Sequence, residues 1–186
     1  MVEGCSWFSM SILKHAFLLW MVLKNKLKTH DGLKPWDVGG ATNLNLVCCS
    51  LCKTVQDSHA HIFFRCTYST TVWSLVRDMA GLRHVPNIED TTDYLIPISK
   101  GKSAKCVIGR LVLAAYVYFV WQERNNRTFT NNTRPPKRLK ELIVNTVRMR
   151  LASIKFKASS KVLQLLENWK LPKSLLMDGD DPSFVR

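Results

Sequence analysis

The chain is short of acids: its 186 residues carry 14 Asp and Glu against 27 Lys and Arg. Those acids are scattered, and the tightest group, Asp178, Asp180 and Asp181, lies near the end of the chain without flanking apolar strands to hold it rigid. Polymerase, nuclease and ribonuclease H centres need clustered carboxylates that hold two divalent cations, so none of these is expected here. Glycine is sparse as well. The eight glycines are dispersed, and the only pair, Gly39-Gly40, lacks the downstream Gly or Lys of a phosphate-cradling loop. A G-x-S-x-G nucleophile elbow does not occur. No hydrophobic run is long, since LVLAAYVYFVW at 111 to 121 spans eleven residues, too few to cross a bilayer. The N-terminus has Glu3 where a secretory signal wants basic charge, and Lys14 and His15 stand just upstream of AFLLWMVL. These absences lead us to expect a non-enzymatic, intracellular chain, nuclear or cytoplasmic, neither secreted nor membrane-spanning.

What is abundant is apolar surface and positive charge. Hydrophobic residues make up 46% of the chain, with six Trp, enough to build a core. The net charge of +13 is concentrated. Residues 1 to 99 carry nine Lys/Arg against eight Asp/Glu, residues 100 to 173 seventeen against three, and residues 174 to 186 one against three. A segment this basic attracts polyanions, because neutralising phosphates releases condensed counterions. RNA or DNA is the expected partner. Arg124, Arg127, Arg134, Lys137, Arg138, Lys140, Arg148 and Arg150 are the candidates for phosphate contact, from their places at helix ends, at the proline turn and on a polar helix side.

Periodicity predicts a mainly helical chain. Residues 9 to 28 place Leu13, Phe17 and Trp20 on one stripe, expected to face a core. Residues 32 to 47, with Pro35, Gly39-Gly40 and two Asn, read as a loop. The run from 67 to 81 has Val72, Leu75, Val76 and Met79 at helical spacing, with Ser69 or Thr70 as N-cap and Gly81 past the end. A helix is expected from Ala104 to Arg127, broken by NNTRPP, and another from Pro136 to Phe156 with Leu139, Ile143, Val147, Leu151 and Ile154 along one side. VLQLLENWKLP fits a strand or a short helix. The expected organisation is a first domain over 8 to 82, a linker over 83 to 103, a basic helical segment over 104 to 173 and a loose acidic tail over 174 to 186.

Four of the six cysteines and two of the five histidines crowd into CCSLCKTVQDSHAHIFFRC, residues 48 to 66. In a reducing compartment, clustered cysteines point to a metal or to free thiols rather than disulfides. Cys49-x2-Cys52 is the step a tight turn needs to aim two thiolates at one tetrahedral ion, and His61 and Cys66 follow at spacings that can return the third and fourth ligands. Two alternatives of register remain at this level: Cys48 for Cys49, and His59 for His61. The IFF after His61 favours that histidine, because it would shield one side of the site. Phe63, Phe64 and Trp73 could stack on bases, but in so small a unit they are expected to pack inside. Cys5 and Cys106 stand apart.

CSLCKTVQDSHAHIFFRC, followed by the Val72-Trp73 pair, resembles the zinc-binding domain C-terminal to the reverse transcriptase of plant LINE-type (non-LTR) retrotransposons. The hallmarks of that family are a C-x-L-C pair, H-[LI]-F-F-x-C and a V-W. The upstream ILKHAFLLWMVLKNKLKTHDGLKPWD and the later VYFVWQERNNRTF and ENWKLP extend the similarity over roughly Ser11 to Pro172. The resemblance implies one structural Zn2+ held by Cys49, Cys52, His61 and Cys66, and the reverse transcriptase of a parent element as a further partner. Two features depart from the pattern: His59 and Cys48 are additional, and Ser58-His59-Ala60 stands where an acid is frequent. The fold implied is a small Cys3His zinc-knuckle loop packed between amphipathic helices and followed by a basic helical segment. The alternative function is a non-catalytic protein-interaction module or remnant.

Overall fold

The computed structural model describes residues 11–29, 31, 48–80, 101 and 103–177. The expected loop at 32–47, Cys5, Gly81, most of the expected linker and the acidic tail beyond Met177 lie outside the described residues.

The architecture is mainly α, in the order α1 (Leu13–Leu23), a π-helical turn (His61–Arg65), α2 (Thr67–Val76), α3 (Ala104–Phe129), α4 (Pro136–Leu151), β1 (Phe156–Lys157), α5 (Ser160–Asn168) and β2 (Leu176–Met177). The two strands are short and parallel, with Phe156 opposite Leu176. The central element is α3. Its backbone starts cleanly because the Ser103 hydroxyl accepts the Cys106 N–H, an N-cap of the usual kind. α1 and α4 pack on α3, and α2 packs on α4. One cluster of buried side chains runs from Leu19 through the knuckle and α3 to Leu175, so the segments on either side of the expected linker share a core.

α4 behaves as its pattern dictates. Pro136 opens it, where a missing N–H costs nothing, and Leu139, Ile143, Val147 and Leu151 are all buried. The helix stops at Leu151, earlier than expected, while Ile154 and Phe156 stay buried as the chain turns into β1. The ambiguous 162–172 segment is a helix in its first part, α5, capped by the Ser159 hydroxyl on the Val162 N–H. A 3-10 turn at Lys173–Leu175 and β2 follow α5. α2 begins at Thr67 with Cys66 as N-cap residue, so Ser69 and Thr70 lie inside it rather than at its start.

The stripe expected for α1 is corrected. Leu13, Phe17 and Trp20 are 67%, 55% and 41% exposed, whereas His15, Ala16, Leu19 and Val22 face the core. α3 is also longer than the apolar run suggested. By length and composition it could cross a membrane, yet 72% of its apolar stretch is buried inside the fold, the pattern of a core helix.

His15 enters this core against Tyr118, with ring centroids 4.2 Å apart. Burial, aided by neighbouring Lys14, lowers its pKa from 6.5 to about 4. The neutral form is therefore the folded form. The stability this preference contributes is complete above pH 6.5 and lost as the pH falls towards 4. The loss should reach roughly 3 kcal/mol. His15→Phe keeps the ring and removes the titration, so the difference in urea midpoint between variant and parent should move in the variant's favour from pH 7 to pH 4.5.

Candidate metal centre

Cys49 and Cys52 sit on a tight turn. The Cys49 N–H donates to the Val55 carbonyl at 2.6 Å, the Lys53 N–H returns to the Cys49 carbonyl at 2.8 Å, and Cys48 bridges to Gln56. Lys53 closes the turn with φ 62°, in the left-handed region that favours glycine. The other two candidate ligands come from the π-turn, where the Cys66 N–H donates to the His61 carbonyl at 2.7 Å. Residues five apart on an α-helix point about 140° away from each other. The wider i→i+5 turn brings them to one side.

The result is a convergent set. The ligand atoms of Cys49, Cys52, His61 and Cys66 all lie within 4.8 Å of one another. Cys49 Sγ is 4.0 Å from Cys66 Sγ, and Cys52 Sγ is 3.2 Å from His61 Nε2. Two thiolates on one tetrahedral zinc stand about 3.8 Å apart, so the spacing and the three-sulfur, one-imidazole chemistry fit a single zinc ion. Cys49 and Cys66 interact as thiols, which raises the pKa of Cys49 and lowers that of Cys66; metal binding would displace the proton between them. Neither register alternative belongs to this convergent set. His59 donates through Nε2 to the Leu27 carbonyl at 2.8 Å, tying the knuckle to the chain after α1. Cys48 stands outside the cluster. Cys106 is remote in role, its sulfur accepting from the Ser103 hydroxyl.

Phe63 and Trp73 are buried and Phe64 half-buried. The Tyr116 hydroxyl of α3 donates to the Phe63 and Ser69 carbonyls, and Trp121 stacks on Phe63 with centroids 6.4 Å apart. These rings support the metal loop from beneath.

A polar network fastens the same loop to the C-terminal half of α3. Arg124 pairs with Asp57, both buried. The Ser50 hydroxyl donates to the Arg124 carbonyl at 3.0 Å, and Arg127 donates to the Leu51 carbonyl at 2.9 Å. Buried Glu123 accepts from Arg127 Nε at 2.8 Å and from the Arg134 N–H at 2.7 Å. Arg127 also lies 4.3 Å over the Tyr68 ring, whose hydroxyl donates to the Arg134 carbonyl. Burial, reinforced by Glu123, pushes the Tyr68 phenol up to about 12 and keeps it a donor.

In this network the guanidinium groups of Arg124 and Arg127, two of the candidates for phosphate contact, are turned inward onto carboxylates and carbonyls. Arg134 is half-buried beside the same carboxylate. Of the remaining candidates, Lys137 and Arg138 are exposed, the latter paired with Glu141 at 2.7 Å. Lys140, Arg148 and Arg150 are half-buried, and Arg148 donates to the Trp169 carbonyl at 3.0 Å. Sequence reading missed Asp57 and Glu123. The i,i+4 spacing of Glu123 and Arg127 was the available signal for one pair; nothing local announces the other.

Residues 2–73 match the family model described as zinc-binding in reverse transcriptase. The match ends at Trp73, short of the Pro172 to which the motifs suggested the similarity extends. No curated protein and no solved structure matches the chain.

Asp57→Ala would leave the Arg124 cation buried without its partner, which should cost about 3–5 kcal/mol, read by urea unfolding of the zinc-loaded protein. Adding Arg124→Met should recover part of that loss.

Proposed function

Starting from a chain whose residues 2–73 match the zinc-binding domain of reverse transcriptase, we propose that it is a non-catalytic module built around one structural zinc ion and binding RNA or DNA through its basic segment. Cys49, Cys52, His61 and Cys66 hold the ion. Three thiolates and one imidazole fill a tetrahedral zinc, leaving no position for a reacting water, and the thiolate charge blunts its acidity. The zinc then fixes the turn at 49–53 to the π-turn, and the pair sits on α3. The single observation that carries this reading is the convergence of those four ligand atoms within 4.8 Å. The setting is intracellular, and a plant LINE-type element is the proposed origin.

For nucleic acid, Lys137, Arg138, Lys140, Arg148 and Arg150 remain the phosphate contacts, joined by the exposed Lys155, Lys161 and Lys170. Arg138 can exchange its Glu141 partner for a phosphate at little cost, since exposed pairs are worth about 0–1 kcal/mol. The reverse transcriptase of a parent element is the further proposed partner. A second reading, a protein-interaction module, is favoured by the exposed Leu13, Phe17 and Trp20, the last two with stacked rings 5.9 Å apart.

Cys52→Ser or Cys66→Ser should lose the one equivalent of zinc found by metal analysis and loosen the fold, because binding energy here is folding energy. Cys106→Ser should keep the metal; full zinc retention in the first two variants would mean that other ligands hold it. Affinity for arbitrary single-stranded RNA or DNA should fall steeply with salt, and Lys137→Glu should reduce the slope by about one. Absence of binding even at low salt would leave the protein-interaction reading.

A further inference from the structure

α1 is apolar on both of its sides. Leu18, Leu19, Val22 and Leu23 turn to the shared core, while Leu13, Phe17 and Trp20 are 67%, 55% and 41% exposed on the other side. A helix that is apolar all round is normally buried all round, so this outer face is short of a cover. Spacings of four and three put its side chains on one stripe, and the exposed Lys24, four residues after Trp20, continues that stripe. The Phe17 and Trp20 rings stack with centroids 5.9 Å apart and planes 25° from parallel, and neither packs on the core. Asn25, at φ 51°, then closes the helix, its N–H donating to the Val22 carbonyl at 3.0 Å and that of Lys26 to the Met21 carbonyl at 2.9 Å. The chain leaves this cap with Lys26 and Lys28 exposed. Lys24, Lys26 and Lys28 enter no ion pair among the described residues, and the sequence has no acid between Glu3 and Asp31.

Each part selects a property of the occupant. Exposed flat rings accept a flat π-face. Three exposed lysines in a stretch without acids call for a polyanion. The order of residues along the stripe decides among the occupants this face could take. A partner helix laid along it would bury Lys24 and need a carboxylate at that one place. A second copy of this chain would bring the same lysines rather than a countercharge. A single strand stacks on the two rings and meets Lys24 with the phosphates that join its bases. We infer that the outer face of α1 is a stacking platform for single-stranded nucleic acid, with Phe17 and Trp20 holding bases and Lys24, Lys26 and Lys28 the adjoining phosphates. The inference rests on the nucleic-acid reading above, takes for it the face that otherwise favours a protein partner, and adds base contacts where that reading has only phosphate contacts. Stacking beside cations is the general way of holding single strands without reading sequence.

The test is fluorescence anisotropy of the zinc-loaded full chain with a dye-labelled single-stranded RNA 12-mer and with an abasic strand of equal length and charge. The base-bearing strand should bind about tenfold more tightly, the factor expected from one stacked base. Phe17→Ser and Trp20→Ser should each erase most of that preference while leaving the abasic affinity largely in place, and Trp20→Phe should retain it. Lys24→Gln should weaken both strands alike and lower the salt slope by about one. Phe17 is more than half exposed, so Phe17→Ser carries the result even if Trp20→Ser unfolds. Equal affinity of the parent protein for both strands, or a preference that survives both serine variants, overturns the platform and leaves the phosphate reading intact. Failure of both strands to bind at low salt overturns both. Self-association that Phe17→Ser abolishes, or an acidic amphipathic helical peptide of Leu and Glu that binds more tightly than the strand with the same sensitivity to Phe17→Ser, overturns the strand in favour of a protein on this face.

Discussion

Two carboxylates removed from water, Asp57 and Glu123, govern where the knuckle sits. A buried carboxylate must be paired and hydrogen-bonded or it is strongly destabilising. Asp57 belongs to the loop between the two ligand pairs and meets Arg124; Glu123 belongs to α3 and gathers Arg127 and the Arg134 backbone. Together they set the metal turn at one place along α3. A zinc ion would close the loop on itself, but the four residues that could hold it span only 49 to 66 and say nothing about where that loop docks. The ion pairs supply that second specification.

The same constraint reshapes the electrostatics. A run of cations read along the chain suggests a uniform basic face. In the folded protein it divides into inward groups that hold the structure and outward groups that carry the field. Arg124 and Arg127 belong to the first set, Lys137, Lys155 and Lys161 to the second. Long-range attraction of a polyanion depends on the outward set and is screened over about 8–10 Å at ordinary ionic strength.

What could be read from the chain was whatever has a short spacing with one chemical meaning. The convergent group Cys49, Cys52, His61 and Cys66 was legible as a candidate because a Cys-x2-Cys step followed by His and Cys suits tetrahedral coordination, with Cys48 and His59 left as alternatives of register. The stripe of α4 was legible because Lys, Arg and Glu separate its apolar positions. α1 failed for the opposite reason: LKHAFLLWMVL is apolar on nearly every side, so Leu13, Phe17 and Trp20 formed as good a stripe as the true one, and a buried histidine tipped the phase. Arg124 and Asp57 stand 67 positions apart, beyond any local pattern. The π-turn was also invisible, since it exists to bring His61 and Cys66 together and follows no propensity.

The family match stops at Trp73, yet Tyr116 and Trp121, which underpin the π-turn, and Arg124, which holds Asp57, all come from α3. Similarity and cohesion therefore divide this polypeptide at different points. The stretch that the family model matches borrows its floor from a helix outside that match, and a fragment cut at Trp73 would leave Phe63 without Tyr116 and Trp121. In this protein the matched stretch is smaller than the unit that folds.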